Sequence, residues 1–409
     1  MSKAKPCLNR RKFISSSAAG IAGALAIPGV GRSKPEESMR TGRDEQKMIF
    51  RTLGKTGLKL PIVSMGSMDA TSEALLRTAL DSGIKHIATA QYYMKGQVEK
   101  FVGMVMKNYQ REDIIVATGI TPSPLDWNAG VYSEKTDITK YHKDFEVSLK
   151  NLDVDYVDIL YLPFAGKKES VLFEPLMKAM ENIKKSGKAR FLGIASHSFV
   201  IEALRTAADS GFYDVAMPAF NFQIQDIEER KKAVDYAAGK GMGIVAMKTM
   251  IGESWMGKKQ KTPSNSKAAL KWVLQNENVH TCVPGVTTFD QLSSNLSIME
   301  DLTLTPEEKE YLKKSRGTYE DGFFCQGCGT CLDQCSMAPD IPTLMRAYMY
   351  AYAYKDLAAA ARCIEEVRDD PLPCSYCSSC AVNCPMGFDI QTKALDIIRL
   401  RAFPKDFLV

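Results

Sequence analysis

Excess charge is the first thing this chain lacks. The formal net charge is +5, but residues 1–31 hold Lys3, Lys5, Arg10, Arg11 and Lys12 and no acid, so the rest is close to neutral. No basic surface for nucleic acid follows from the net charge, and no nucleic-acid partner is expected. A long, strongly apolar run is missing too. The apolar segment at residues 14–30 is short and broken by Gly20, Gly23 and Pro28, which argues against a membrane-spanning helix. The leader's single cysteine, Cys7, stands ahead of the arginines, so no lipid-modified cysteine follows the apolar stretch.

Cysteine, by contrast, is present in a pattern. Eight of the eleven cysteines fall in two runs of identical spacing, C-x2-C-x2-C-x3-C: Cys325, Cys328, Cys331 and Cys335, then Cys374, Cys377, Cys380 and Cys384. A cubane cluster needs four thiolates, three from one closely spaced loop and a fourth from elsewhere. The pattern resembles that of bacterial two-cluster ferredoxins, in which the last cysteine of each run serves the other run's cluster. Two [4Fe–4S] clusters are expected. Structural zinc is the competing use, but it is usually built from separated C-x2-C pairs. Disulfides suit an exported chain, yet they leave the repeated quartet unexplained. The runs depart from the ferredoxin pattern in Ser336, where proline would follow the first run, and in a long spacer, residues 341–367. That spacer is rich in Ala, Tyr, Leu and Met, and its run at residues 346–354 reads as a helix, so a helical variant is expected, with Cys363 as a packing residue.

At 409 residues, 45% hydrophobic and 25% charged, the chain has room for one large domain and a small one. The segment Asn9-Arg10-Arg11-Lys12-Phe13-Ile14 resembles a twin-arginine export signal, followed by the apolar stretch and a Gly-Arg-Ser-Lys-Pro break. A membrane anchor is the alternative. Twin-arginine export carries folded proteins, and clusters must be inserted inside the cell, so the two ends of the chain agree. The expected plan is signal and linker over residues 1–45, a large domain over 46–320 and the iron–sulfur domain over 321–409. The location is then periplasmic or otherwise exported, with no membrane span after signal removal.

From residue 50 to about 299, short apolar runs alternate with amphipathic stretches. Strands are expected at residues 62–67, 86–89, 114–118, 157–162, 191–195, 215–218, 243–247 and 280–284, and helices at 73–82, 141–151, 200–210, 228–240 and 266–277. Eight such units suit an α/β fold of the (β/α)8 TIM-barrel kind, its continuous apolar strands covered by helices. A doubly wound sheet is the alternative.

Several motifs then carry a likeness. Arg51-Thr-Leu-Gly-Lys-Thr-Gly-Leu, Thr89-Ala90-x-x-Tyr93 with Glu99 and Gly103, Leu152-x-x-Asp155-Tyr-Val-Asp158, and Val283-Pro-Gly285 with Asn295 resemble the aldo/keto reductase superfamily in order and spacing. Barrels of that kind fused to a two-cluster ferredoxin segment form a recognised subgroup, which this chain resembles from end to end. The resemblance implies NADPH-dependent hydride transfer to a carbonyl, with a tyrosine delivering the proton, a lysine held by an aspartate lowering its pKa, and a histidine orienting the substrate. Tyr93 matches the tyrosine. The other three positions read Ala88, Gly119 and Pro163.

A phenol of pKa about 10 is a poor proton source at neutral pH without a cationic neighbour, and acid–base catalysis contributes about 10²–10⁴-fold in rate. An ordinary carbonyl reductase is thus not expected. Tyr92 or Lys95 could replace a lost group, and His197, after the fifth strand, falls at the face where such barrels gather active-site residues. For the nucleotide, the resemblance points to Ser196, Asn221, Gly285 and Asn295, with Gly285 and Gln291 standing where basic residues would grip a 2′-phosphate. NADP(H) is expected at a weakened site, although turn and cap chemistry would also explain these residues. Loops at residues 121–136, with Trp127 and Tyr132, and 249–263, with Trp255 and Lys258, Lys259 and Lys261, could shape a pocket.

The expectation is an exported oxidoreductase that couples a redox step on a small-molecule substrate or nucleotide to two clusters, with a redox partner protein beyond. One alternative is a non-catalytic barrel serving as a docking module for the ferredoxin domain. Another is an NADPH-dependent reductase with relocated catalytic groups.

Overall fold

The computed structural model describes residues 47–68, 72–126, 131–132, 134–224, 226–250, 265–315, 325, 330–353, 357–384 and 387–404. The leader, Cys328, Trp127, Trp255 and Lys258, Lys259 and Lys261 lie outside the described residues.

A hairpin, β1 (Phe50–Thr52) and β2 (Lys59–Pro61), opens the large domain. The strands β3 (Met65–Gly66), β4 (His86–Ala88) and β5 (Ile115–Gly119) follow, with α1 (Glu73–Asp81) and α2 (Gln97–Met106) between them. A two-stranded ribbon, β6 (Leu125–Asp126) and β7 (Val131–Tyr132), rises from the loop after β5. Next come α3 (Ile138–Leu152), β8 (Val157–Pro163), α4 (Lys168–Val171), α5 (Glu174–Lys185), β9 (Ala189–Ser196), α6 (Val200–Ser210), β10 (Val215–Pro218), α7 (Ile227–Gly239) and β11 (Gly243–Ala246). The domain ends with α8 (Ser266–Leu274), β12 (Thr281–Cys282), α9 (Phe289–Leu296) and α10 (Pro306–Ser315).

Eight strands form one parallel sheet in the order β3-β4-β5-β8-β9-β10-β11-β12. Parallel bridges from Val63 to Cys282 and from Gly66 to Gly285 bring the last strand back against the first. All eight expected strands are there. Those at the seam are shorter than expected, because pairing between β3 and β12 is reduced to these single bridges. Every residue of β8 is buried, as a strand covered on both faces requires.

The motif residues prove architectural. Gly103 lets α2 lie on α3: a Cβ there would stand 2.4 Å from the Leu152 carbonyl oxygen. Glu99 is buried and accepts from the Thr118 hydroxyl at 2.6 Å and the Asn151 amide at 3.2 Å. At the lower end, where the strands begin, Leu53, Leu58 and Leu60 of the hairpin region plug the interior. Arg51 donates there to the carbonyls of Leu274, Asn276 and Val279 at 2.9, 3.2 and 2.6 Å. Asp158, 1% exposed, accepts from Arg111 and the Val116 amide at 2.9 Å each and from Arg190 at 2.6 Å.

The C-terminal domain is helical, with α11 (Ile341–Tyr348), α12 (Leu357–Glu366) and α13 (Ile390–Ile397) around a core of Leu344, Met345, Ile364, Leu372 and Ile390. The helix expected over residues 346–354 is broken. Asp340 caps α11 by accepting from the Thr343 amide, and a wide π-type turn over Met349–Ala353 separates α11 from α12. Such turns commonly mark functional sites. Among the described residues no helix is long and apolar enough to cross a membrane.

Candidate functional site: a cysteine centre and the barrel rim

The second cysteine run starts in a one-turn helix, Pro373–Ser375, and is held from behind by α13. The Gln391 amide donates to the carbonyls of Cys374 at 3.0 Å and Cys377 at 2.7 Å. The ends of the two runs are tied together: Gln334, next to Cys335, accepts from the Asn383 amide at 2.7 Å, and Asn383 precedes Cys384. Cys335 therefore sits with the second run. The buried Cys374 thiol is pushed up to about 11 by burial, then by Cys335, Cys377 and Cys380.

A thiol held up in this way gives its proton up readily only when a cationic core takes the sulfur, which is what iron would supply. No two described cysteines are joined by a disulfide, and among the described residues no group of His, Cys, Asp or Glu converges tightly enough for a single metal ion. Cys363 is buried and accepts from the Arg346 guanidinium at 3.4 Å, as a packing residue.

At the upper end of the barrel, where the strands finish, Ala88, Gly119 and Pro163 close β4, β5 and β8 in one corner. A Cβ on Gly119 would lie 3.7 Å from Ala90 and 3.8 Å from both Pro163 and Tyr161. Tyr93 is half-buried at the start of a short turn in which Met94 and Lys95 take φ of 46° and 54°. Lys95 is exposed.

An aromatic row runs from there along the rim. The rings of Tyr93 and Tyr92 are 4.9 Å apart, those of Tyr92 and Phe164 5.6 Å, and Phe164 stacks on His197 at 5.2 Å. Burial of its phenol end, then the neighbouring Tyr93 and Tyr350, push the Tyr92 pKa well above its ordinary value. That is opposite to an activated proton donor. Burial, then the charges of Lys248 and Arg346, lower His197 to about 3, so its ring is neutral. Arg346 of α11 and Tyr350 of the π-type turn thus lie near enough to the rim to act on His197 and Tyr92.

Ser196 donates to the Ser198 carbonyl at 2.8 Å, and Asn221 donates to the Lys248 carbonyl at 3.0 Å while accepting from the Gln223 amide at 3.1 Å. Both side chains are engaged in turns. Gly285 is exposed with open space around it, and Gln291 accepts from the Thr287 amide and hydroxyl at 2.8 and 3.0 Å. Asn295 differs: it is 2% exposed and its amide nitrogen has no partner. Tyr132 is buried and donates to the Pro163 carbonyl. Lys248, Arg346 and Tyr350 were not among the expected site residues. A cation directly after a barrel strand was a readable signal for Lys248, whereas Arg346 and Tyr350 reach the site only through tertiary docking.

Comparison with known proteins agrees with this geometry. Residues 59–268 match the model of the aldo/keto reductase family and residues 324–389 that of a 4Fe-4S dicluster domain, so the chain belongs to the aldo/keto reductase family and carries a ferredoxin-type domain behind its barrel. It is 25% identical over 315 residues to L-galactose dehydrogenase of Arabidopsis thaliana, covering 67% of this chain and 95% of that one. It is 23% identical to L-glyceraldehyde 3-phosphate reductase of Escherichia coli O157:H7, covering 64% and 90%. Among solved structures, aldo-keto reductase AKR11C1 from Bacillus halodurans superposes with a TM-score of 0.52 at 23% identity, covering 65% of this chain and 96% of that one.

Proposed function

We propose that this chain is an exported oxidoreductase in which the upper rim of the barrel handles a small-molecule or nicotinamide redox step and exchanges electrons with two [4Fe–4S] clusters held by the eight cysteines. What supports this reading is the electrostatic influence of Arg346 and Tyr350, both from the cluster domain, on His197 and Tyr92 of the barrel, beside the match of the C-terminal segment to a 4Fe-4S dicluster domain. The clusters, when bound, supply one-electron storage and relay.

Only Tyr93 of the family's four catalytic positions is retained, so proton delivery by a lysine-activated phenol is absent from this reading. Tyr93 takes or gives the substrate proton, and neutral His197 contacts the substrate as a hydrogen-bonding ring. The unpartnered Asn295 amide supports retained nucleotide contact, while the uncharged Gly285 and Gln291 weaken the grip on a 2′-phosphate of NADP(H). Export through the twin-arginine route puts the protein in the periplasm, where a redox partner protein would exchange electrons with the clusters. A second reading, a non-catalytic barrel that docks the ferredoxin domain to partners, draws on the engagement of Ser196 and Asn221 in turns.

Fractionating the expressing cells and purifying the exported protein without oxygen separates these readings. About eight irons per chain are expected, with clusters that bleach or recover when substrate or nucleotide is added. Stoichiometric zinc in a colourless protein overturns the cluster assignment. Brisk NADPH-dependent aldehyde reduction overturns the altered tetrad, retention in the cytosol overturns export, and clusters indifferent to every small molecule favour the docking module.

A further inference from the structure

The second cysteine run is gripped from one side by a single amide. Gln391 stands near the start of α13, and its side-chain nitrogen donates to the carbonyls of Cys374 at 3.0 Å and Cys377 at 2.7 Å. A glutamine amide carries two N–H groups, and both are spent here on the cysteine loop. The helix beneath keeps that amide in place. Asp389 caps α13 by accepting from the Thr392 amide at 3.0 Å, while Ile390, Ala394 and Ile397 are buried in the core of the cluster domain.

The same loop carries a set of open backbone donors. The Ser375 and Tyr376 amides close the one-turn helix on the carbonyls of Leu372 and Pro373 at 2.9 and 3.1 Å. Beyond them, among the described residues, the amides of residues 377–382 donate to no protein acceptor, and the next one, that of Asn383, goes to Gln334. The peptide bond after Cys377 is trans, which sets its carbonyl and the following N–H on opposite sides. With the Cys377 carbonyl fixed on Gln391, the Ser378 N–H is therefore turned away from α13. Successive amides left open in a turn receive anionic atoms, and iron–sulfur sites use them.

We infer that Gln391 is a positioning residue for the cluster bound by the second run: by anchoring the Cys374 and Cys377 carbonyls it keeps the open amides of the loop available to the cluster's sulfur atoms and so raises that cluster's reduction potential. The inference rests on the two-cluster reading above and names what tunes one of the two. Gln391 bonds to carbonyls and not to thiols, so it acts through the loop rather than as a ligand. Reduction adds negative charge to a cluster, and N–H groups that meet its sulfur atoms stabilise the reduced form more than the oxidised one. Hydrogen bonds of this kind are among the levers by which a protein sets such a potential.

The test is a redox titration, followed by electron paramagnetic resonance, of the full-length protein purified without oxygen, beside the variant Gln391→Met. Methionine keeps the length and the helix propensity but cannot donate. At a fixed applied potential the reduced-to-oxidised ratio of one cluster should fall about tenfold, which is about 59 mV for a one-electron couple. Iron content and the other cluster should stay as they are. Gln391→Glu, which only accepts and adds a negative charge, should lower the same ratio further. Should Gln391→Met fail to load one cluster, Gln391→Lys decides: its ammonium donates to carbonyls, so recovery of that cluster supports the grip and a second failure overturns it. Two clusters that titrate in Gln391→Met as in the unaltered protein, or that shift together or upward, overturn the inference and leave the two-cluster reading standing. An unaltered protein without iron sinks both.

Discussion

The two ends of this barrel are built to different rules. At the lower end charge is matched: Arg51 is met by three carbonyls, Asp158 by two arginines and a backbone amide, and Lys184 by Asp214 at 2.6 Å. At the upper end the hydroxyls of Thr89, Thr121 and Thr249 and one ring nitrogen, His197 Nδ1, are enclosed and left without hydrogen-bond partners. The family signature divides the same way. Arg51, Glu99, Gly103 and Asp158, which make the chain recognisable, hold the barrel together, whereas Ala88, Gly119 and Pro163 stand at the positions the proposed reading assigns to the family's chemistry. Scaffold and chemistry can therefore drift apart, and a motif match reports mainly on the scaffold.

The contrast can be broken most forcefully from below. Asp158→Ala should cost about 3 kcal/mol in urea unfolding, the low end for a broken buried ion pair because both arginines reach water. His86 is an exception at the lower end, fully buried with neither ring nitrogen partnered and its pKa lowered to about 4 by burial, against the pull of Asp158. Since its folded pKa lies below the unfolded value, the unfolded chain binds the extra proton between them, so stability is present above the unfolded pKa and is lost as pH falls. From pH 7 to pH 5 this amounts to about 2 kcal/mol. Urea midpoints of His86→Leu across that range should show a flatter slope; an unchanged slope would assign the acid sensitivity elsewhere. The smallest effect belongs to the upper rim. Thr249→Val removes a hydroxyl with no partner, so stability should stay within about 0.5 kcal/mol or rise slightly, and a loss of 2 kcal/mol would show that the hydroxyl is satisfied after all.

Most of the barrel was legible because its signal is local. Buried parallel strands read as continuous apolar runs, and α6 (Val200–Ser210) coincides with its expected limits since apolar residues recur at helical spacing up to Gly211. The seam was less legible, because single bridges between chain segments more than two hundred residues apart leave no periodicity. Within the cluster domain the quartets were plain, but nothing in the alternating Ala and Tyr of residues 346–354 announces a π-type turn at Met349. Of the rim, Tyr93, His197 and Asn295 were named from position. The charges that give His197 its character come from another strand end and another domain, and tertiary contact of that range is invisible to spacing.

Because Gln334 grips Asn383 and Cys335 lies with Cys374, Cys377 and Cys380, the proposed two-cluster assignment has the first quartet lend a ligand to the second. A nascent chain that has only just passed Cys335 is consequently one ligand short. Metal loading must wait until the last fifty or so residues of that stretch have been synthesised, and a message truncated anywhere before Cys374 would yield a barrel with no working metal centre at all.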